Sequence, residues 1–306
     1  MVQVRQQSHH EAAPHEVDLS VWLDSLPLLM EADERERLLT TAELVRELSQ
    51  GAGEDQTDWA QQSDCFKAGL DVALILAELH VGIDCLLAGM LYRAVREKRI
   101  ELESVEAQFG PAVAELLQGV LRMAAIGDLR LQQDEPVLGQ AHAQKDNVRK
   151  MLIALVDDVR VALIKLAERT CAIRAVKDDE ERREPVAREV FDVYAPLAHR
   201  LGIGHLKWEL EDLSFRYIYA DAYRKIARLL DGKRLERDQF IVEVKALLTS
   251  VLEQAGLEFE IEGRAKHIYS IWRKMQRKGI GFSQVYDIRA VRILVPELKD
   301  CYATLG

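Results

Sequence analysis

Basic residues concentrate in one short stretch of an otherwise acidic sequence. Between Gly263 and Arg292 there are eight lysines and arginines but one acidic residue, Asp287. The 306-residue chain as a whole has a formal net charge of −10. A local excess of positive charge against such a background predicts a site for a small, highly charged anion.

These basic residues are spaced as on a helix with two unlike sides. At about 100° per residue, one side of a helical wheel holds polar groups only: Lys266, Ser270, Arg273, Lys274 and Arg277. The other side holds Ile268, Ile271, Trp272 and Met275. We expect the first side to face a ligand and the second a core, with backbone N–H groups at the helix start, just after Gly263, receiving phosphate oxygens. A solvated basic face is the alternative, although such faces usually mix charges of both signs.

Asp287 places a carboxylate among these cations. It lies in a predicted strand together with Arg289 and Arg292. Proteins typically hold Mg²⁺ through one or two carboxylates and the phosphate oxygens of a substrate. The combination therefore predicts a Mg²⁺–triphosphate site in which Asp287 is the metal ligand.

The elements that must position this cluster form the beginning of an α/β domain. Residues 257–262 alternate between apolar side chains and glutamate, which is typical of a half-buried strand. We expect Gly263 to end that strand, a helix to run to about residue 278, and a second strand to cover residues 284–295. A further helix is expected from Glu297 onward.

The chain before this domain is predicted to be helical. We interpret residues 1–16 as a mobile tail, 17–201 as one all-helical domain and 202–256 as a helical connector, which leaves 257–306 for the α/β domain. The predicted fold class is therefore mainly α.

Within the helical domain, residues 68–79 and 83–95 are apolar nearly all round and should form buried helices. Residues 147–170 are a candidate for an amphipathic helix pair, and residues 185–200 for a further helix. Two polar or charged segments are interpreted as loops: 127–144 and 177–184.

Composition is typical of a globular cytoplasmic protein. Hydrophobic residues make up 48% and charged residues 30% of the chain. No apolar run approaches the roughly 20 residues that span a bilayer, and the first residues show no secretory signal pattern. The four cysteines are far apart and form no CxxC pair, which favours reduced thiols over a disulfide framework or a zinc site.

The segment GRAKHIYSIWRKMQRKG, followed by VYDIRAVRI, resembles the start of the RelA/SpoT synthetase domain. That family of transferases makes guanosine tetra- and pentaphosphate in the stringent response by moving pyrophosphate from ATP to the 3′-hydroxyl of GTP or GDP. The resemblance implies that Arg264 stacks on adenine, that Lys266, Ser270 and Lys274 hold ATP phosphates, and that Asp287 binds Mg²⁺. The further candidates for nucleotide binding are His267, Arg277, Lys278 and Arg292.

The same resemblance implies residues that these 306 positions do not include. The family uses a second acidic residue and an aromatic residue that stacks on guanine, both further along the chain. We therefore expect this polypeptide to hold the ATP side of the site alone and to make no alarmone. Ribosome contact is implied for C-terminal regions, and homodimer formation stays open.

The helical domain resembles the other half of the family, a metal-dependent HD hydrolase that removes the 3′-pyrophosphate. The resemblance runs through DVALILAEL, VRKMLIALVDDVRVALIKLAER and YAPLAHRLGIGHLKWELEDLSF. It implies histidine and aspartate ligands that converge on one metal ion. The residues found at or next to those ligand positions are Ala68, Tyr92, Arg93, Arg96, Glu97, Glu168 and Cys171.

Of the expected ligand positions, only that of Glu168 keeps a group that could bind a metal. An arginine placed where a divalent ion should sit repels it, and one carboxylate cannot hold that ion tightly. We therefore predict an inactive, metal-free hydrolase-like domain, as in the monofunctional, synthesis-only RelA branch. Arg93 and Glu168 are predicted to form an ion pair across the former pocket.

Two other functions stay open at this point. The chain could be a helical module that controls or dimerises a synthetase without catalysis of its own. It could also bind RNA through residues 264–278, with Tyr269 and Trp272 as stacking platforms. Trp272 lies on the apolar side of the wheel, however, which favours a position in the core.

Overall fold

The computed structural model describes residues 17–50, 64–131, 158–231, 234–285 and 288–306. Helices dominate these residues, accompanied by a two-stranded sheet. The predicted fold class, mainly α with the start of an α/β domain, is confirmed. In the described ranges, no helix is both long and apolar enough to cross a membrane.

The chain forms two compact units, which divide between Ser214 and Phe215. This division falls inside the predicted connector, residues 202–256. The predicted domain bounds themselves stay predictions, and the predicted tail, residues 1–16, lies outside the described residues.

The first unit is helical in its described part. Its helices are α1 (Leu19–Asp24), α2 (Ala32–Gln50), α3 (Cys65–Glu78), α4 (Ile83–Arg96), α5 (Leu102–Phe109), α6 (Pro111–Leu131), α7 (Val159–Ala175), α8 (Glu180–Glu189), α9 (Ala195–Arg200) and α10 (Gly204–Ile218), the last of which continues into the second unit. A 3₁₀ turn at Val176–Asp178 follows α7, and a π-helical segment at Val190–Tyr194 joins α8 to α9. Aspartates accept hydrogen bonds from first-turn N–H groups and so fix the starts of α1, α3, α7 and α8.

Helices α3 and α4 lie at the centre of this unit and are buried along most of their length, as predicted. Two glycines permit their close approach. A Cβ atom at Gly69 would lie 2.8 Å from the backbone oxygen of Met90, and one at Gly89 would collide with Leu76. Helix α7 packs against both α3 and α4, so its side chains reach the core.

Three local predictions in this unit need correction. Residues 127–131, predicted as loop, continue helix α6, because a single glycine, Gly127, weakens a helix without ending it. Residues 180–184, also predicted as loop, belong to α8, which Asp179 caps by accepting a hydrogen bond from the Arg182 N–H at 3.0 Å. Helix α7 continues to Ala175, beyond its predicted end, and residues 132–157 lie outside the described residues.

The second unit contains the sheet. Its elements after α10 are α11 (Ala220–Asp231), α12 (Arg234–Gln254), β1 (Glu260–Ala265), α13 (Ile268–Lys278), β2 (Arg289–Leu294) and α14 (Leu298–Leu305), with a 3₁₀ turn at Phe282–Gln284. The strands pair antiparallel, from Glu260 opposite Leu294 to Ala265 opposite Arg289. The predicted order of strand, helix and strand is confirmed.

The strand bounds differ from those predicted. β1 begins later, at Glu260, and continues through Gly263, which therefore does not end it. Gly263 has a packing role instead, because a Cβ atom there would lie 2.6 Å from Cγ2 of Ile241 in α12. β2 is shorter than the predicted range 284–295, since residues 282–284 form the 3₁₀ turn.

Candidate functional site

Helix α13 turns its predicted apolar side toward the core of the second unit. Ile268 and Ile271 are buried, and Trp272 and Met275 pack against the same cluster. The other buried members of that cluster are Phe215, Ile226, Leu230, Val285 and Ile288. Burial of these apolar surfaces fixes the rotation of α13 about its axis. The predicted apolar side is confirmed.

Trp272 belongs to an aromatic cluster. Its ring centroid lies 4.8 Å from that of Phe215, 5.4 Å from that of Tyr219 and 5.9 Å from that of Tyr269. Tyr269 in turn lies 5.6 Å from Phe215. Both candidate stacking platforms for RNA therefore pack against protein side chains, and Trp272 is half-buried against the core, on the predicted apolar side.

The polar side of α13 faces away from this cluster. Arg273 and Arg277 are exposed, while Ser270 and Lys274 are half-buried. Lys278, in the last turn, is also exposed. We call Arg273, Lys274 and Arg277 the cationic side of α13. These side chains present positive charge on a rigid, solvent-accessible element, which is what a polyanionic ligand requires.

Helix α13 begins later than the helical-wheel prediction placed it. α13 starts at Ile268 and His267 is its N-cap residue, so Lys266 precedes the helix and does not lie on it. The carbonyl of His267 accepts a hydrogen bond from the Ile271 N–H at 3.1 Å. Lys266 and His267, both half-buried, thus stand at the end of the helix where the first backbone N–H groups point along its axis.

The sheet carries two of the remaining candidates. Arg264 lies in β1 opposite Ala290, and Arg292 lies in β2 opposite Glu262. Arg292 Nη1 is 3.9 Å from Glu262 Oε2, at the outer limit of an ion pair. Asp287, the predicted metal ligand, lies outside the described residues.

In the first unit, most positions at or near the expected metal ligands are in the core. The buried ones are Ala68, Tyr92, Arg93, Glu168 and Cys171. The hydroxyl of Tyr92 accepts hydrogen bonds from Arg96 Nη1 at 3.2 Å and from Lys165 Nζ at 3.4 Å. Two positive groups, Arg96 and Lys165, therefore meet at the Tyr92 hydroxyl.

Glu168 is held by two cations of its own helix. Lys165 Nζ lies 2.8 Å from Glu168 Oε2. Arg169 donates to both carboxylate oxygens of Glu168, at 2.8 and 2.9 Å, and through Nη1 to Glu189 Oε2 at 2.8 Å. We call these four largely buried side chains, Lys165, Glu168, Arg169 and Glu189, the core ion network.

These partners differ from the ion pair predicted between Arg93 and Glu168. Arg93 Nε donates to Glu97 Oε1 at 2.5 Å, and Glu97 also accepts a hydrogen bond from Arg99 Nε at 2.6 Å. The reason is local: residues four apart on a helix, such as Arg93 and Glu97, are neighbours on its surface. The two cations that contact Glu168, Lys165 and Arg169, likewise lie on the same helix as Glu168.

Within the core ion network, Glu168 and its two cationic partners stay charged at neutral pH. Burial by itself raises the pKa of Glu168, but attraction to Arg169 and Lys165 outweighs burial and lowers that pKa to about 2. Burial and the neighbouring Arg169 lower the pKa of Lys165, yet attraction to Glu168 and the adjacent tyrosines leaves it above its ordinary value. Burial raises the pKa of Tyr194, whose ring lies 5.9 Å from the Arg169 guanidinium carbon, to about 12.

This residue set does not fit a divalent metal ion. Within the part of the chain that the structure describes, no group of three or more His, Cys, Asp or Glu side chains is placed to hold one. Burial raises the pKa of the Cys171 thiol well above its ordinary value, so this thiol is protonated in the metal-free chain. Both carboxylate oxygens of Glu168 are already bonded to Lys165 or Arg169, so an added divalent ion would have to displace these cations.

Comparisons with known proteins give the family. A profile described as "HD domain" matches residues 42–204, and one described as "Region found in RelA / SpoT proteins" matches residues 263–306. The chain is an HD-domain member of the RelA/SpoT family. The RelA/SpoT resemblance predicted from the sequence is thereby confirmed, while the closer likeness to the monofunctional RelA branch stays a prediction.

Relatives of this RelA/SpoT chain include proteins named GTP pyrophosphokinase. Those of Escherichia coli strain K12 and Photobacterium angustum are 45% and 44% identical to it over 239 residues, which is 78% of this chain and 32% of each relative. The protein of that name from Haemophilus influenzae is 45% identical over 243 residues, or 79% of this chain and 32% of the relative. The chain thus spans 32% of the length of these relatives.

Sequence reasoning missed Lys165 and Arg169. It treated VRVALIKLA as part of an amphipathic helix pair and assigned Arg93 as the partner of Glu168. The signal was present, because a lysine and an arginine inside an otherwise apolar helix need partners when they are buried. The nearest carboxylate along the chain is Glu168.

Proposed function

We propose that this protein transfers pyrophosphate from ATP to the 3′-hydroxyl of GTP or GDP, and that α13 binds the ATP. The observation that supports this most directly is the division of α13 into a buried apolar side and an accessible cationic side. The RelA/SpoT region over residues 263–306 and the name GTP pyrophosphokinase among the relatives favour the same reaction.

In this proposal, α13 and the residues before it bind and orient the donor triphosphate. Ser270 and Lys274 contact its phosphates from the side of the helix, and Lys266 and His267 contact them from its start. Arg277 and Lys278 add positive charge along the last turn. Phosphoryl transfer depends mainly on positioning and on neutralising charge, which such groups supply without forming covalent bonds.

The strands and the segment between them supply the other proposed contacts. Arg264 stacks on the adenine ring, and Arg292 adds a positive charge from β2. Asp287 holds the Mg²⁺ that accompanies the triphosphate, and this ion offsets phosphate charge when it is bound. The described residues support the placement of Arg264 and Arg292 in the sheet, and the role of Asp287 stays a prediction.

We further propose that the HD-like unit does not hydrolyse alarmones. The former ligand positions carry Tyr92 and Arg93, and the remaining carboxylate, Glu168, is already held by Lys165 and Arg169. On this proposal the protein would group with the synthesis-only members of the family, which stays a prediction. Incubation with the 3′-pyrophosphorylated nucleotide and Mn²⁺ tests the proposal, and release of pyrophosphate would overturn it.

Several expectations stay predictions alongside this function. They concern a cytoplasmic location, ribosome contact through C-terminal regions, homodimer formation, and the absence of alarmone synthesis by these 306 residues alone. Labelled ATP with GTP and Mg²⁺ tests the last of them, and turnover by the 306-residue polypeptide would contradict it.

Titration of the chain with Mg–ATP tests the donor site. A Lys274→Glu substitution should raise the Kd at least about tenfold, because it replaces a charge-assisted contact by repulsion. Lys225→Glu is the matched control, since Lys225 is an exposed lysine on α11 of the same unit, and its Kd should stay at the wild-type value. Equal Kd values for Lys274→Glu and wild type would refute the placement of ATP on α13.

A helical control module without catalysis is the second candidate. The core ion network favours it for the first unit, because a domain without a metal site can keep a structural role. Such a module needs no affinity for ATP, so the same titration separates the two functions. Light scattering coupled to size exclusion shows whether it also dimerises.

A further inference from the structure

We propose that the ammonium group of Lys165 is a built-in structural cation of the HD-like unit, placed where two former metal-ligand positions converge. The inference goes beyond pyrophosphate transfer, and it rests on the proposed absence of a metal from this unit. It assigns a role to a residue that the family resemblance does not single out.

The geometry around Lys165 Nζ carries the inference. This atom lies 2.8 Å from Glu168 Oε2 and 3.4 Å from Tyr92 Oη, and 5.5 Å from the centre of the Tyr92 ring. Tyr92 and Glu168 stand on different helices, α4 and α7, at positions where the resemblance implies metal ligands. One positive group therefore contacts both positions, as a metal ion would. Its side chain is only 2% exposed, so the ammonium group is shielded from solvent.

Charge balance explains why a lysine is needed there. The core ion network holds two positive groups, Lys165 and Arg169, and two negative groups, Glu168 and Glu189. A buried charge without a partner is strongly destabilising, whereas a balanced set is tolerated. Removal of Lys165 alone leaves one uncompensated negative charge, and neutralisation of Glu168 alone leaves one uncompensated positive charge.

The core ion network and the Tyr92 side chain that it contacts tie three parts of the first unit together. Tyr92 brings in α4, Lys165 and Arg169 belong to α7, and Glu189 is the last residue of α8. The π-helical segment that follows α8 ends at Tyr194, whose ring lies beside the Arg169 guanidinium. A π-helical turn changes the direction in which the side chains after it point. A metal ion joins helices through its ligands in the same way, and here the lysine does so without a bound ion.

Three variants of the 306-residue chain test the charge balance: Lys165→Met, Glu168→Gln and the double variant. Each single variant should lower the Tm by about 10 °C, because each leaves an uncompensated buried charge. The double variant restores neutrality and should unfold at a higher temperature than either single variant. Hydrogen exchange of the α7 amides assigns the change to the first unit.

The matched control is Lys207→Met, since Lys207 forms a similar one-turn pair with Glu211 at 3.3 Å in the same unit but is more exposed. It should change the Tm by no more than a few degrees. If Lys165→Met fails to fold, folding of the double variant still supports the proposal. A double variant that unfolds at or below the temperature of the less stable single variant overturns it, as does a Lys165→Met variant as stable as wild type.

A metal titration separates this inference from the proposed loss of hydrolysis. Mn²⁺ without nucleotide should leave the exchange protection of α4 and α7 unchanged in the wild-type chain. Protection that increases with Mn²⁺ would show a metal site and overturn both proposals. Unchanged protection together with purely additive effects of the two substitutions would overturn the role of Lys165 alone.

Discussion

Trp272 packs its indole ring against Phe215, with ring centroids 4.8 Å apart and ring planes tilted by 38°. Phe215 belongs to α10 and Trp272 to α13, so this contact joins helices that are distant in sequence within the second unit. Because Arg273 and Lys274 directly follow Trp272, the contact also determines which way these cations point. The aromatic cluster on the apolar side of α13 thus determines the direction in which the cationic side faces.

Truncation of Trp272 should therefore damage both stability and ligand binding. We expect Trp272→Ala to lower the free energy of unfolding by about 3 kcal/mol, in the range for large aromatic residues truncated in cores. Trp272→Phe keeps the aromatic contact and should lose much less. Urea unfolding followed by far-UV circular dichroism measures the difference, and similar losses for the two variants would contradict the packing role.

Gly263 should tolerate no side chain in the presence of Ile241. A Cβ atom there would lie 2.6 Å from Ile241 Cγ2, so we expect Gly263→Ala to lower the free energy of unfolding by roughly 1–3 kcal/mol, the usual cost of overpacking. Adding Ile241→Ala removes the collision, and the loss for the pair should be smaller than the sum of the single losses.

The control for this pair is Gly281→Ala, because a Cβ atom at Gly281 would come no closer than 3.9 Å to another residue's atom. This variant should unfold at the wild-type urea concentration. A Gly263→Ala variant that behaves like the control would show that α12 can move away from the sheet at little cost.

The role of Gly263 marks a limit of prediction from sequence. We expected it to end a strand and to open a helix N-terminus toward phosphate, because glycine often does both. The structure instead keeps Gly263 inside β1, where the side chain of Ile241 in α12 takes the space of a Cβ atom. A contact with another element leaves no trace in the local pattern, whereas the apolar side of α13 could be predicted from residue spacing alone.

The HD-like unit shows the same limit for charges. The sequence was sufficient to predict that α3 and α4 are buried. It was not sufficient to identify the partners of Glu168. The resemblance placed Arg93 and Glu168 at ligand positions of the same metal site, and this suggested that the two residues pair. Lys165 and Arg169 are closer along α7, and their rotation into the core depends on how that helix packs.

The cysteines provide a prediction about chemical reactivity. Cys65, Cys85 and Cys171 are buried, whereas Cys301 is exposed. Burial raises the pKa of Cys65 to about 11 and that of Cys85 to about 12, which suppresses their thiolates at neutral pH. Iodoacetamide should therefore modify one thiol in the native chain and all of them in denaturant, as counted by mass spectrometry. Native Cys301→Ser protein should remain unmodified, and rapid labelling of it would contradict the burial of the other three thiols.

Glu168 should make the first unit sensitive to acid. Its pKa in the folded chain, about 2, lies below the ordinary value of 4.5, so the ionised carboxylate stabilises the fold above about pH 4.5. That contribution is lost as the pH falls from 4.5 toward 2, because the unfolded chain then binds the proton more readily. The groups that face this carboxylate are Lys165 and Arg169, with Glu189 and Tyr194 beside them, and the two cations stay charged throughout this range.

Urea unfolding of wild type and Glu168→Gln at several pH values measures this effect. Wild type should be more stable by about 3 kcal/mol at pH 7, as for other buried ion pairs that lose one partner. The difference between the two proteins should shrink steadily below pH 4.5, since a protonated Glu168 and a glutamine are both neutral. A difference that stays constant down to pH 2.5 would mean that the Glu168 carboxylate is not the group that Lys165 and Arg169 hold in its charged form.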